Sequence, residues 1–273
     1  MTATLTRSSA VTSHARPKPV SAMLRYAVHD FRRNMRMVES VFFMIVLPTA
    51  LYLMFSGMNG DADAPAGQGN VAAYIMTSMA LYGAVLATSG IAGSAAVERA
   101  KGWGRTLALT PAAASSYVAS KVLVALAISV LPVAVVMTVG WLTGAEISGL
   151  RWLTTAVIVV LGSAAFAFYG LAAGLLFRSE AAVSVSSGLL VVLSFFGNLF
   201  VPLSGIMLDI ARFTPLYGLA GLARWPQLEG SVAANGPGVP PDEMWFLVLN
   251  LFAWTVIFGG IAILAARRGT SRM

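Results

Sequence analysis

The sequence has no cysteine among its 273 residues. Disulfides, thiolate metal sites and cysteine nucleophiles are therefore excluded. Charge is nearly as scarce. Only 11% of residues are Asp, Glu, Lys or Arg, against roughly 25% in a soluble domain. With 58% hydrophobic residues, such a chain cannot clothe a water-facing surface, and it reads as an integral membrane protein. Histidine occurs only as His14 and His29, both ahead of the first long apolar run. Lysine occurs only as Lys18, Lys101 and Lys121, preceded by Pro17, Ala100 and Ser120. A P-loop needs a Gly-Lys pair, so this chain holds no ATP in that way.

What is present is long uncharged runs. A helical crossing of a hydrocarbon core of about 30 Å takes about 20 apolar residues. Six runs approach or meet that: about Ser40–Gly57, Val71–Ala96, Val122–Thr143, Trp152–Phe177, Ala181–Leu203 and Met244–Ala266. The fold class predicted is all-α integral membrane, with six transmembrane helices in a domain over residues 39–268. None of the six runs contains Asp, Glu, Lys, Arg or His. Intramembrane charge is the usual mark of an ion or proton path, so a self-contained ion-coupled carrier is disfavoured. General acid–base chemistry inside the membrane lacks its groups as well.

Residues 1–20 are Ser, Thr, Pro and basic, with little to bury, and read as a disordered cytoplasmic tail. Residues 21–38 change character. Met23, Leu24, Ala27, Val28, Phe31, Met35 and Val38 recur at helical spacing, while Arg25, His29, Arg32, Arg33 and Arg36 fall on the opposite face. A basic amphipathic helix ahead of a crossing lies in the membrane interface, its cations toward the lipid head groups. The basic residues also set orientation. With both termini inside, fifteen of the 18 Lys and Arg residues are cytoplasmic, and only Arg151, Arg212 and Arg224 are outside. That asymmetry places both termini in the cytoplasm; the chain is expected in the plasma membrane, and residues 269–273 form a short cytoplasmic tail. It also makes nucleic acid an unnecessary explanation for the net charge of +7.

Residues 204–243 are predicted as an outer segment. Its first half, through Arg224, is apolar, but Asp209 and Arg212 would each cost about 2.5–3.5 kcal/mol at a helix centre. A re-entrant or interfacial helix pair broken near Pro215 fits better, with an outer loop from Pro226 onward. Small residues crowd the second and fourth runs. Gly170 and Gly174 form a GxxxG pair, a spacing that lets helix backbones approach closely.

The most charged segment between two long apolar runs is one loop, residues 97–121, flanked by runs of more than twenty uncharged residues. Its centre reads ERAKGWGRTLALTP from Glu98 to Pro111. Glu98-Arg99-Ala100-Lys101-Gly102, then Thr106-Leu107 and Leu109-Thr110-Pro111, resembles the signature loop of ABC type-2 transporter permeases; Trp103-Gly104 departs from the pattern. The interfacial helix, six crossings and apolar outer segment agree with that family's layout. The resemblance implies a coupling helix that docks on a separate ABC ATPase subunit, through Glu98, Arg99, Lys101, Gly102, Trp103, Arg105 and Leu107. Trp103 and Leu107, four residues apart, share one helix face. The resemblance further implies two ATPase copies carrying ATP and Mg, no cofactor on this chain, and a second permease copy, identical or not. An ATP-driven exporter of a drug, antibiotic or lipid-like amphiphile follows, its path lined by apolar and small polar groups. The alternative is a non-transporting membrane scaffold or sensor that recruits a cytoplasmic partner through the basic loop.

Overall fold

The structure is a computed structural model that describes residue 32 and residues 42–98, 114–177, 180–232 and 239–270. The expected tail (1–20), most of the interfacial helix (21–38) and the last three residues lie outside the described residues. Helix dominates. Helix α1, Leu47–Met58, is entered through a wide π-type turn, Phe42–Val46. Two-residue strands β1 (Pro65–Ala66) and β2 (Gly69–Asn70) pair antiparallel. There follow α2 (Val71–Glu98), α3 (Ala114–Leu142), α4 (Arg151–Gly162), α5 (Ala164–Phe177), α6 (Glu180–Phe196), α7 (Gly205–Ala211), α8 (Tyr217–Leu228) and α9 (Met244–Thr270).

Among the described residues, four helical stretches are long and apolar enough to cross a membrane: Val71–Ser94, Val122–Leu142, Arg151–Phe177 and Met244–Ala265. Two shorter apolar helices, Phe42–Met58 and Ser184–Phe196, stand where the first and fifth crossings are expected. The fifth ends at Phe196 rather than Leu203. Gly197 and a left-handed Asn198 (φ 58°) turn the chain there, and Asn198 Oδ1 accepts the Leu203 amide at 2.7 Å. The fourth is interrupted between α4 and α5 at Ser163, whose hydroxyl donates back to the Val160 carbonyl at 2.7 Å.

Helix α2 is the hub. Over Val71–Ser94, 89% of the most apolar stretch is buried, against 22% in α9, so α9 sits at the periphery. Helix α2 packs along α3 and α5 and also touches α1, α6 and α8; α9 leans on α5 and α8. Lipid tails are as apolar as leucine, so burial alone gives helices little reason to associate. Close packing of small side chains supplies it. Ala73, Ala80, Ala84, Ala87 and Ala92 of α2 are all buried.

At one end of the bundle the loops interlock. The β2 residue Gly69 bridges Ile147, in the loop after α3. Asn70 is the centre of this layer. Its Oδ1 caps α2 by accepting the Ala73 amide at 3.0 Å, and accepts the Glu146 amide at 3.0 Å. Its Nδ2 donates to the Gly144 carbonyl at 2.7 Å. Its own carbonyl accepts from Gln227 Nε2 at 2.8 Å. Gln227 sits on α8, which runs through Pro226 to Leu228 instead of giving way to loop at Pro226; a left-handed Glu229 (φ 51°) ends it. Asn70→Ala is expected to cost about 2–4 kcal/mol, from one lost helix cap and buried backbone groups left unpaired. The check is the melting temperature of the extracted protein, with Asn59→Ala in the same hairpin region as the neutral control.

Candidate functional site

The chemistry-bearing groups of the described residues gather near this loop end, around α2, α8 and the turn after α6. Tyr74 and Ser78 are one helical turn apart on α2 and face α8. Asn198 is held in its left-handed turn with its carbonyl pointing inward. Helix α8 brings Arg224 between them.

Arg224 is only 6% exposed. Its Nε and Nη2 donate to Ser78 Oγ at 3.3 and 2.9 Å. Nη2 also donates to the Asn198 carbonyl at 2.6 Å. The guanidinium carbon stands 4.5 Å from the centroid of the Tyr74 ring, a cation–π arrangement. The Ser78 hydroxyl is oriented by donating to the Tyr74 carbonyl at 2.9 Å, and the Tyr74 hydroxyl donates to the Asn198 carbonyl at 3.2 Å.

A second cluster lies beside it. Arg212 Nε donates to Asp242 Oδ1 at 3.1 Å, and Asp209 Oδ1 accepts from Arg212 Nη1 at 3.5 Å. The Tyr217 hydroxyl donates to the other Asp242 oxygen. Burial raises the Tyr217 phenol above its ordinary value, and the bond to Asp242 raises it further, so it remains a donor at neutral pH. Asn250 of α9 ties this cluster to the bundle, donating to the Arg212 carbonyl at 2.8 Å.

Two spaces open here. A small cavity of about 20 Å³ is lined by Arg224, Asn198, Tyr217, Asp242, Ser231 and neighbours. Next to it is a cleft of about 470 Å³, walled by Phe55, Val71, Ile75, Leu199, Phe200 and Pro202, with Tyr74 among them. Leu228, Ser231 and Val232 line both. The cleft has the size of a small-molecule site, about 300–1,000 Å³, and the usual apolar lining with few polar groups.

The residues singled out in the sequence lie elsewhere. Glu98 is the last residue of α2, while Arg99, Lys101, Gly102, Trp103, Arg105 and Leu107 lie outside the described residues. So do Arg25, Phe31, Arg33 and Arg36; Arg32 is helical and exposed. Gly170 faces the backbone of Ser89, where any Cβ would overlap the Ser89 carbonyl. Gly174 is buried on the same helix. The sequence reading counted Arg224 as one more outer-loop cation and missed its burial. The available signal was composition: Arg224 is the one charge in Tyr217–Leu228, amid Gly218, Ala220, Gly221 and Ala223, a pattern that invites close packing around a single cation.

A family model described as ABC-2 type transporter matches residues 21–224. That stretch includes the whole charged loop and ends on Arg224. The chain is also similar to "Putative transport permease YvfS" of Bacillus subtilis (strain 168), with 23% identity over 245 residues, 88% of this chain and 94% of that protein.

Proposed function

The chain belongs to the ABC-2 type transporter family as a membrane transport permease, and from that premise we propose that it is the membrane-spanning subunit of an ATP-driven exporter of amphipathic cargo. The observation that carries the reading is the family match across the charged loop in a chain that has no Gly-Lys pair of its own. Energy for uphill movement then enters from a partner. The proposed partner is an ABC ATPase carrying ATP and Mg, two copies against two permease copies. Without a P-loop Gly-Lys pair, the permease chain is assigned no ATP site of its own, and ATPase activity is expected in the partner subunit.

The four long helices with α1 and α6 supply six crossings, and α7 and α8 form a re-entrant or interfacial pair. The interlocked layer around Asn70 supports the sidedness. Loops 59–70 and 143–150, expected on the outer face, hydrogen-bond to each other and to α8. The far ends of α2 and α3 then flank residues 99–113 of the charged loop on the cytoplasmic face, where Trp and Arg are favoured interface anchors. ATP-driven closure of the ATPases would move that loop and the 21–38 helix as levers. The apolar cleft supports an amphipathic cargo over a small ion.

Export is tested by accumulation. Cells lacking the chain should retain at least one of a panel of amphipathic dyes and antibiotics more strongly than cells carrying it. Equal retention across the whole panel would remove the drug-like cargo.

A further inference from the structure

The buried Arg224 is unlike Arg32, Arg151 and Arg212. Arg151 pairs with Glu229, and Arg212 pairs with Asp242 and Asp209; Arg32 is exposed. Among the described residues, the partners of the buried Arg224 are neutral: a serine hydroxyl, a backbone carbonyl and the face of a tyrosine. Its Nη1 makes no hydrogen bond among the described residues. The carboxylate that shares its cavity, Asp242, is already engaged by Arg212 and Tyr217. A guanidinium stays charged in any protein, and a buried charge without an opposite charge is costly. Here the fold holds one in place by Nε and Nη2, with no hydrogen bond from Nη1 among the described residues, in a residue lining a cavity. Arginine in that state matches carboxylate and phosphate oxygens.

Beside it lies the 470 Å³ apolar cleft, sharing Leu228, Ser231 and Val232 with the arginine's cavity. An acid head at Arg224 would leave its apolar body in that cleft. We propose that Arg224 receives the anionic head group, carboxylate or phosphate, of an amphiphile whose apolar part occupies the cleft. That this amphiphile is cargo rests on the transport reading above; the anion site itself does not. The site also revises the path expected from the sequence, which was uncharged. The charge comes from α8, outside the six apolar runs.

The test uses the full-length chain in phosphatidylcholine nanodiscs, titrated with dansylaminoundecanoic acid and with its methyl ester. Wild type is expected to bind the acid about tenfold or more tighter than the ester, as a charge-assisted hydrogen bond allows. Arg224→Gln should bring the two within about twofold while sparing the ester, whose contacts are only those of the cleft. Ser78→Asp guards against misfolding of that variant. It gives the guanidinium a carboxylate of its own, keeps the buried charge paired, and should also erase the preference for acid. A structural pin alone would give no such preference to lose. Equal binding of acid and ester by wild type would overturn the site, as would a preference that survives both substitutions. Discs containing phosphatidylglycerol separate the sources of the anion. Loss of acid binding there assigns the head group to membrane lipid, and unchanged binding assigns it to a single-chain amphiphile. Co-elution with an ATPase is read in parallel and does not depend on Arg224. Its absence in wild type removes the transport reading and leaves the anion site standing.

Discussion

Gly170→Ala is expected to be the most damaging single-methyl change in the described bundle, costing about 3 kcal/mol or more and much of the folded yield. The reason is geometric. A Cβ at Gly170 would lie 2.8 Å from the Ser89 carbonyl carbon and 2.9 Å from its Cα, and closer still to the carbonyl oxygen. All three are backbone atoms of the hub helix α2, so no side-chain rotation relieves the overlap; α5 must move away from α2. These two helices form the most extensive contact in the bundle, and net stabilities are typically only about 5–15 kcal/mol. Gly90 is the control. It lies on α2 itself, and an added Cβ would meet nothing within 4 Å. Gly90→Ala should be neutral or gain up to about 1 kcal/mol from helix propensity. Monodisperse yield after a heating step, followed by size-exclusion chromatography, separates the two. Equal losses for both variants would mean that the α2–α5 approach is not what Gly170 protects.

The second large effect is functional. Trp103→Ala is expected to reduce ATP-driven transport to background while leaving the amount of folded chain in the membrane unchanged. A coupling loop transmits force only through the residues that seat it on the partner. Buried Trp anchors commonly cost 2 kcal/mol or more when truncated, which is roughly thirtyfold in affinity. Glu98→Ala should weaken coupling less, by about 1 kcal/mol, since an exposed charge pair is worth little. Vesicles carrying chain and ATPase report both quantities, as ATP hydrolysis and as ATP-dependent movement of a dansyl-labelled amphiphile. Wild-type transport by Trp103→Ala would remove the loop from the energy path.

Much of the architecture was legible in the sequence because membranes impose long, simple patterns. The uncharged run from Val71 announced α2, and the charges Asp209 and Arg212 warned against a further crossing where α7 and α8 stand. The family resemblance rested on Glu98 to Pro111, and the family match across 21–224 agrees with it. The misses share one physical cause, contact between residues distant in sequence. Helix α6 stops at Phe196 because Asn198 folds back on Leu203, which a hydropathy run to Leu203 conceals. Helix α8 continues through Pro226 to Leu228; Gln227 in its last turn is bonded to Ala66 and Asn70, far earlier in the chain. Arg224 looked like an outer-loop cation. Its partner Ser78 lies 146 positions away, and no local pattern links the two. The interlocking of loops 59–70 and 143–150 through Asn70 was equally invisible. The residues of the proposed coupling contact lie outside the described residues, apart from Glu98 at the end of α2, so their seating on a partner rests on the motif.

The central claim is that this permease draws its energy from a separate ATPase through the loop 97–121. What the chain carries with it out of its own membrane tests that most directly. Full-length tagged chain, extracted in mild detergent, should co-elute with a P-loop ATPase in a one-to-one ratio, and Trp103→Ala should lose that subunit. Wild type that elutes without any P-loop ATPase, folded and at normal abundance, would contradict the claim.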